Sequence, residues 1–247
     1  MIRPAGDQAV LVEFEKIVDT AIAMKILALE DWLKRYMPSG IREYVPGYST
    51  LFILYDPLAF SFADMVTQIE QGLQEIAGEN LLMRGKKLWI PVCYGGEFGP
   101  DLEDVAAYCG LSAQEVIEIH AEPNYFVHFT GFLPNFPFLG GLSRRIATPR
   151  LPKPRQQVPS GSVAIAGEQT GFYPIASPGG WRLIGRIPVC LYDLRRTNPF
   201  LIQPGDVLRF DPITPETYEE LYLLDQREPY PFRTETVEPE LTEEVDR

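Results

Sequence analysis

The feature that most constrains the fold is the loss of helical periodicity after Tyr125. Between Tyr125 and Ile213, short apolar runs such as SVAIAG, WRLIGRIP and FLIQPG alternate with glycine and proline. Glycine and proline at this density make the chain turn often, so each apolar run is long enough only for a short strand. Many short strands joined by tight turns are typical of a compact β-barrel, which we predict for residues 123–213.

The first 95 residues carry a different pattern, in which strand and helix periods alternate. Residues 20–37 place apolar side chains at helical spacing, and a second helix is predicted from Ser61, whose spacing to Asp64 resembles a capping box, to Gly78. The predicted strands are 9–14, 41–45, 49–56 and 87–94, with Pro46 and Gly47 as the turn of a hairpin. The resulting order, β-α-β-β-α-β, predicts a ferredoxin-like split βαβ domain over residues 1–95.

Two further segments flank the barrel. Residues 96–122 are predicted to form a connector of two short helices, the first with Asp101 as its N-cap and the second with Ser112 as its N-cap. Residues 214–247 are predicted to form an acidic C-terminal tail, in which a short helix precedes a charged end that we expect to be mobile. The four segments together predict an α+β protein.

The charge is unevenly distributed along the chain. The formal net charge of −12 argues against nucleic acid and anionic membrane as partners. Residues 213–247 hold eleven acidic and three basic residues, whereas residues 129–200 hold nine basic residues and two acidic ones, a local net of +7. The sequence shows neither a signal peptide nor a long apolar run, so we expect a cytoplasmic protein.

The sequence contains no motif of a common catalytic centre. Phosphate-binding glycine motifs, the nucleophile elbow GxSxG and the zinc motif HExxH are all absent from it. The three cysteines, Cys93, Cys109 and Cys190, lie far apart, and we expect reduced thiols rather than a metal site. His120 ends an apolar helical stripe, where we expect a helix C-terminal or packing role, and His128 lies within a predicted strand, where it either faces solvent or lines the barrel.

The segment YGGEFGPDLEDVA, residues 94–106, contains one acidic residue that a simple turn does not explain. Gly95 and Gly96 on one side and Gly99 and Pro100 on the other predict two tight turns that hold Glu97 between a strand end and a helix start. A well-made connection accounts for Asp101 but not for Glu97. Glu97 is therefore a weak candidate for a catalytic or domain-interface role.

The glycine-rich run of residues 155–186 supplies most of the candidate binding residues. In one interpretation, hydroxyl, amide and arginine side chains on rigid loops cradle a carboxylate or phosphate near the barrel mouth. In the other, the same residues form barrel turns and a subunit interface, with the arginines facing an acidic partner. The candidates, in chain order, are Arg150, Arg155, Ser160, Gly161, Ser162, Gln169, Thr170, Ser177, Gly179, Gly180, Trp181, Arg182 and Arg186.

Four ordered motifs carry a resemblance to a known family. They are YGGEFGPDL, GFLPNFPFLGGL, PRLPKPRQQVPSGSVAIAGEQTGFYP and SPGGWRLIGRIP. The sequence resembles the family that includes the B subunit of bacterial 5-oxoprolinase, the kinase inhibitor KipI and part of the carboxyltransferase domain of urea amidolyase, often labelled allophanate hydrolase subunit 1. Asn135 stands where the family usually has glycine, and asparagine tolerates the left-handed backbone that such a loop requires. Of the rings in the second motif, Phe132, Phe136 and Phe138, we expect most in the core and at least one beside a cleft.

The resemblance implies a small α+β domain joined to a cyclophilin-like β-barrel. It also implies a non-autonomous subunit that converts 5-oxoproline to glutamate together with a C subunit of the KipA type and an A subunit, with ATP and Mg²⁺ used at the level of the complex. Two alternatives remain open. One is an inhibitor that binds a sensor histidine kinase, and the other is a carboxyltransferase-type subunit that acts on urea or a related amide.

Overall fold

Two units make up the chain in the computed structural model, which describes residues 1–37, 39–77 and 85–237. The first contains the described residues up to Ala77, and the second spans Gly85–Val237. Each unit has its own apolar core, because the buried side chains of each pack into separate clusters. Among the described residues, no helix combines the length and apolarity needed to cross a bilayer.

The first unit packs two helices against an antiparallel sheet. The sheet has the order β1-β2-β4-β3 and is formed by strands β1 (Ile2–Pro4), β2 (Ala9–Glu13), β3 (Ile41–Pro46) and β4 (Thr50–Tyr55). Helix α1 (Thr20–Tyr36) begins at Asp19, whose carboxylate accepts hydrogen bonds from two backbone N–H groups of the first turn. Helix α2 (Phe62–Ala77) begins with the predicted Ser61 and Asp64 pair, whereas its predicted end at Gly78 lies outside the described residues.

The prediction that residues 87–94 complete the first sheet is wrong. Strand β5 (Lys86–Tyr94) belongs to the second unit, where it lies between strands of that unit's sheet and runs parallel to β13 (Val207–Ile213) along seven residue pairs. The fourth strand of the first sheet is instead the short β1. Strand β5 is almost continuously apolar, which is typical of a strand covered on both faces but does not say which sheet it joins.

An eight-stranded, nearly closed barrel-like sheet forms the second unit. Its order is β10-β9-β12-β5-β13-β6-β7, with β14 also paired to β5. The remaining strands are β6 (Tyr125–Thr130), β7 (Pro137–Gly140), β9 (Ser162–Ala166), β10 (Gln169–Phe172), β12 (Arg182–Arg186) and β14 (Thr234–Thr236). The two edge strands of this sheet, β10 and β7, lie close together. A Cβ added at Gly171 on β10 would be 3.0 Å from the carbonyl oxygen of Pro137 on β7. Strands β8 (Arg155–Val158) and β11 (Ser177–Gly179) form a separate antiparallel ribbon.

Three helices pack on this unit. Helices α3 (Leu102–Cys109) and α4 (Ala113–Ala121) were predicted as a connector, but their buried side chains belong to the barrel core. Helix α5 (Pro215–Arg227) is the short helix predicted in the acidic tail, and it is docked on this unit, whereas residues 238–247 of the charged end lie outside the described residues. The Tyr218 ring packs against Phe98 with centroids 4.4 Å apart, and the buried Asp225 carboxylate accepts hydrogen bonds from the backbone of Cys190 and Tyr230.

Candidate functional site

The ribbon of β8 and β11 brings together several of the predicted residues around three aromatic rings. Trp181, two positions after β11, is 6% exposed, and its ring packs edge-on against Phe136 and Tyr173 with centroids 5.6 and 6.5 Å apart. Gly179 is required here, because a Cβ would overlap the Tyr173 hydroxyl oxygen. The backbone turns tightly around the aromatic rings, as the local density of glycine predicts.

Arginine side chains border these rings. The exposed Arg150 guanidinium lies over the Trp181 ring, 5.8 Å from its centroid, as in a cation–π contact. Arg155 donates to Asp101 Oδ1 at 2.7 Å and reaches the carbonyl oxygen of Trp181 at 3.5 Å. We call Arg150, Arg155, Tyr173, Gly179, Trp181 and Asp101 the barrel-end cluster.

The Tyr173 hydroxyl is influenced by both arginines. Burial raises its pKa, while a hydrogen bond from the backbone of Trp181 and the positive charges of Arg150 and Arg155 act in the opposite direction. A hydroxyl and two guanidinium groups thus lie near one another around Trp181. Such an arrangement can bind a carboxylate or phosphate oxygen through charge-assisted hydrogen bonds.

Asp101 is the main correction to the predicted site. The residue was predicted as the N-cap of α3, yet its side chain makes no capping hydrogen bond. It is 5% exposed, and its carboxylate binds Arg155 through one oxygen and accepts from the backbone N–H of Leu183, at 2.7 Å, through the other. Asp101 therefore ties the start of α3 to β12 and neutralises Arg155.

The local charge of +7 overstates the positive field of this region. Five of the nine cationic side chains of residues 129–200 pair with carboxylates; they are Arg144, Arg155, Arg182, Arg195 and Arg196. Asp101 and Asp104, which pair with Arg155 and Arg182, lie outside that segment of sequence. Within the described residues, Arg150 makes no ion pair, and it is the arginine of the cluster best able to receive an anion.

The predicted hydroxyl donors are used elsewhere. The hydroxyls of Ser160, Ser162, Thr170 and Ser177 donate to backbone carbonyl oxygens, those of Pro174, Pro159, Ala164 and Pro178. These bonds stabilise turns and strands and occupy the hydroxyl protons that an anion would need. The backbone also requires glycine at position 161, because its φ is +78° and a Cβ there would overlap the carbonyl oxygen of Ile187. A Cβ added at Gly180 would lie 3.6 Å from Pro154, and Gln169, the first residue of β10, is half-buried.

Glu97 lies in the wall of an open cavity of about 600 Å³, and Arg186 contacts the Glu97 backbone. Arg186 Nη2 donates to the backbone carbonyl of Glu97 at 3.2 Å, which leaves the Glu97 carboxylate exposed. The predicted turn is present, with Gly95 and Gly96 at φ of +70° and +52°. The cavity wall also contains Tyr94, Phe98, Pro215, Glu216 and Glu219. The structure thus places Glu97 on an acidic cavity wall, while its catalytic role stays a prediction.

A buried hydrogen-bonded cluster lies inside the second unit and was missed by sequence reasoning. His120 Nδ1 is 2.8 Å from the Tyr94 hydroxyl, and His120 Nε2 is 2.8 Å from Thr170 Oγ1. Since Thr170 donates its proton to the Ala164 carbonyl, Nε2 carries the imidazole proton and Nδ1 accepts from Tyr94. Burial lowers the pKa of His120 to about 3, so the ring is neutral. We call Tyr94, His120 and Thr170 the interior cluster.

The packing role predicted for His120 is confirmed, because its ring stacks on Phe210 with centroids 4.7 Å apart. His128 is also buried and lies so close to Gly140 that a Cβ there would overlap its Nε2. Sequence reasoning missed Tyr94 of the interior cluster and Tyr173 of the barrel-end cluster. In the sequence, each is simply an aromatic residue within or beside an apolar run. Only long-range contacts reveal their hydroxyl partners.

Comparisons with known proteins agree with this architecture. The profile of the family described as carboxyltransferase domain, subdomain C and D, matches residues 1–202. The chain is 40% identical to the 5-oxoprolinase B subunit of Bacillus subtilis, with 88% of this chain and 94% of the relative aligned. It is 43% identical to the 5-oxoprolinase B subunit of Escherichia coli O157:H7, with 84% and 93% aligned.

Solved structures extend the likeness to longer proteins. The crystal structure of TTHA0988 matches with a TM-score of 0.72 and 37% identity, covering 83% of this chain but 40% of that one. The K. lactis urea amidolyase matches with a TM-score of 0.78 over 96% of this chain and 16% of the enzyme; at 20% identity, this likeness concerns the fold alone. The chain therefore corresponds to less than half of each of these two solved proteins.

Proposed function

Because the chain belongs to the family of carboxyltransferase subdomains C and D, we propose that it is a subunit of a 5-oxoprolinase complex. The observation that carries the proposal is the alignment with two 5-oxoprolinase B subunits along nearly the whole of both chains. In this proposal the partners are the C and A subunits, and the complex uses ATP with Mg²⁺ in the cytoplasm. We also propose that the barrel-like sheet is cyclophilin-like.

The chemistry explains why ATP is needed. The amide of 5-oxoproline is stabilised by resonance and by its five-membered ring, so its carbonyl carbon is a poor electrophile. Transfer of the γ-phosphoryl group to the amide oxygen, with release of ADP, makes the carbon electrophilic, so that water adds to it. The C–N bond of this adduct then breaks, the nitrogen leaves as the amine, and the carbon becomes part of an acyl phosphate. A second water releases phosphate, and the products are glutamate, ADP and phosphate. This sequence requires groups that receive anions.

The barrel-end cluster is the part of this chain that suits such a task. The substrate carries a carboxylate, and Arg150 offers a guanidinium with no ion-pair partner among the described residues beside the Tyr173 hydroxyl. A planar guanidinium can bind both oxygens of a carboxylate at once. We propose that Arg150 contributes to anion binding and that Arg155, held by Asp101, positions the neighbouring backbone.

A second candidate function is that of a carboxyltransferase-type subunit that acts on urea or a related amide. The family description favours it, as does 26% identity to the urea amidolyase of Lachancea kluyveri. The lower identity, together with a match to only 13% of that enzyme, makes it the weaker candidate. Inhibition of a sensor histidine kinase stays a prediction of the family resemblance.

The decisive experiment is reconstitution of the complex from separately purified subunits. We expect 5-oxoproline-dependent ATP hydrolysis and glutamate formation when this chain is combined with the C and A subunits, and none from the chain alone or from those two without it. Turnover by the isolated chain would contradict the non-autonomous role. Turnover with urea but not with 5-oxoproline would favour the second candidate.

A further inference from the structure

The loop of residues 131–136, which joins β6 to β7, exposes a large aromatic side chain in an unfavourable backbone conformation. We call it the Phe132 loop. Phe132 is 72% exposed and has a φ of +65°, a region that residues other than glycine, asparagine and aspartate rarely occupy. Pro134 nearby is also exposed, whereas Leu133 packs against the aromatic core. Phe132 is the central residue of a tight turn in which the Leu133 N–H donates to the Gly131 carbonyl at 2.8 Å, and packing within the second unit does not explain its exposure.

Hydrogen bonds and a buried aromatic ring hold the Phe132 loop in this conformation. The backbone N–H of Gly131 donates to the Phe136 carbonyl at 3.0 Å, and that of Phe136 donates to the Leu133 carbonyl at 3.1 Å. Asn135 is buried at a φ of +63°, and its Nδ2 donates to the Leu191 carbonyl at 2.9 Å. Phe136 is 2% exposed and anchors the base of the loop in the aromatic core. The fold therefore fixes Phe132 in an outward position.

A fixed, exposed aromatic side chain is the kind of residue that dominates protein–protein binding. It brings a large apolar area at little further cost in conformational entropy. Backbone strain at an exposed position persists where a function requires that conformation. A small-molecule site would instead be concave and would surround its ligand, whereas Phe132 projects from the surface. These features favour a protein as the binding partner.

The surroundings of the loop indicate the chemistry of that partner. The Phe132 ring meets Phe136 edge-on with centroids 5.8 Å apart, Phe136 meets Trp181 at 5.6 Å, and the exposed Arg150 lies over Trp181. One aromatic core thus presents an apolar tip and a guanidinium without an ion-pair partner among the described residues. The complementary surface is an apolar pocket, and a companion subunit that provides it would lie beside the anion site proposed at Arg150.

We infer that the Phe132 loop anchors this chain to a companion subunit, with the Phe132 ring inserted into an apolar pocket beside the proposed anion site. The inference rests on the proposed function, because it takes the companion subunits of the 5-oxoprolinase complex as the partner. The TTHA0988 chain supports a protein partner, since the region that matches this chain is joined there to a longer stretch of polypeptide.

The test measures binding of this chain to immobilised C and A subunits, singly and together, for the wild type and three variants. Phe132→Ser removes the ring, and we expect at least a thirtyfold weaker affinity. Leu58→Ser is the matched control, because Leu58 is 97% exposed in the first unit, and its affinity should be unchanged. Phe132→Gly should lose affinity like Phe132→Ser while melting at the same or a higher temperature, because glycine adopts a φ of +65° without strain.

The outcomes separate this inference from the proposed function. If the wild type binds and both Phe132 variants bind equally tightly, the Phe132 loop is not the anchor, although the chain remains part of the complex. If the wild type binds neither companion subunit, the proposed function and the inference both fail. Sedimentation of the chain alone is the last control: a dimer that Phe132→Ser dissolves would identify a second copy as the partner and overturn the inference.

Discussion

The barrel-end cluster and the interior cluster satisfy their polar side chains in opposite ways. In the interior cluster, Tyr94, His120 and Thr170 satisfy one another, and burial keeps the histidine uncharged. In the barrel-end cluster, the Arg155 guanidinium is partly exposed to solvent and is paired with a buried carboxylate. The comparison shows that a side chain that can be neutral is enclosed with neutral partners, whereas a guanidinium stays beside solvent or a carboxylate.

The two clusters differ in this way because burying a charged group costs far more free energy than burying a neutral one. A neutral imidazole with two hydrogen bonds can be enclosed at modest cost, whereas a guanidinium needs either water or a carboxylate beside it. Thr170, a neutral residue, is therefore buried beside His120, although the sequence analysis grouped it with the arginines as an anion ligand. Three predictions test the contrast, in order of decreasing expected effect on the free energy of unfolding.

The largest effect is expected from Asp101→Ala. The change removes two charge-assisted hydrogen bonds and leaves the Leu183 N–H and the Arg155 guanidinium without their carboxylate. Because Arg155 retains some access to water, we expect a loss of about 2–3 kcal/mol rather than the full cost of a buried unpaired charge. Urea denaturation of the isolated chain measures it.

Asp104→Ala is the control for that change. Asp104 pairs with Arg182 at 3.3 Å, but its side chain is 69% exposed, so its removal should cost well under about 1 kcal/mol. Equal losses for the two variants would show that burial does not distinguish the two ion pairs.

An intermediate effect is expected from His120→Gln. The variant should lose about 1–2 kcal/mol at pH 7.5, since the Tyr94 and Thr170 hydroxyls lose well-placed partners. Its pH dependence is the sharper readout. The pKa of His120 is about 3 in the folded state and near 6.5 when unfolded, so unfolding takes up a proton between these values.

The wild type should therefore be progressively destabilised as the pH falls below about 6.5, an effect that the variant lacks. We expect the stability gap between wild type and His120→Gln to narrow from pH 7.5 to pH 5, measured by urea titration at each pH. A gap that stays constant or widens would mean that His120 does not titrate as a buried neutral base.

The smallest effect on folding is expected from Arg150→Ala, within about 0.5 kcal/mol, because the side chain is exposed and makes no ion pair among the described residues. In the reconstituted complex, the same change should lower 5-oxoproline-dependent ATP hydrolysis by about tenfold, the equivalent of one charge-assisted hydrogen bond. Arg145→Ala, another exposed arginine, is the control and should leave the rate unchanged. Full activity of Arg150→Ala would remove this residue from the anion site.

Much of the element list followed from local pattern. The capping box at Ser112, the hairpin around Gly47 and the left-handed turn at Gly95 and Gly96 are all present, because each depends on residues within a few positions of one another. The prediction that Asn135 tolerates a left-handed backbone is confirmed for the same reason. For the candidate site, local pattern located the glycine and arginine residues but not their carboxylate and hydroxyl partners.

The sequence by itself thus determined the helices and many of the strands and turns, since propensity, capping and glycine conformations are short-range effects. It missed the short strands β1 and β14, and the apolar run of residues 200–205 forms only an isolated bridge at Phe200. Only the tertiary structure decided that β5 joins the second unit and that Asp101 binds Arg155, 54 positions away, instead of capping its own helix. A strand edge can pair with any strand of suitable register, and a carboxylate binds whichever cation the fold brings close. Both choices depend on which distant segments are packed together, and packing is a property of the whole core.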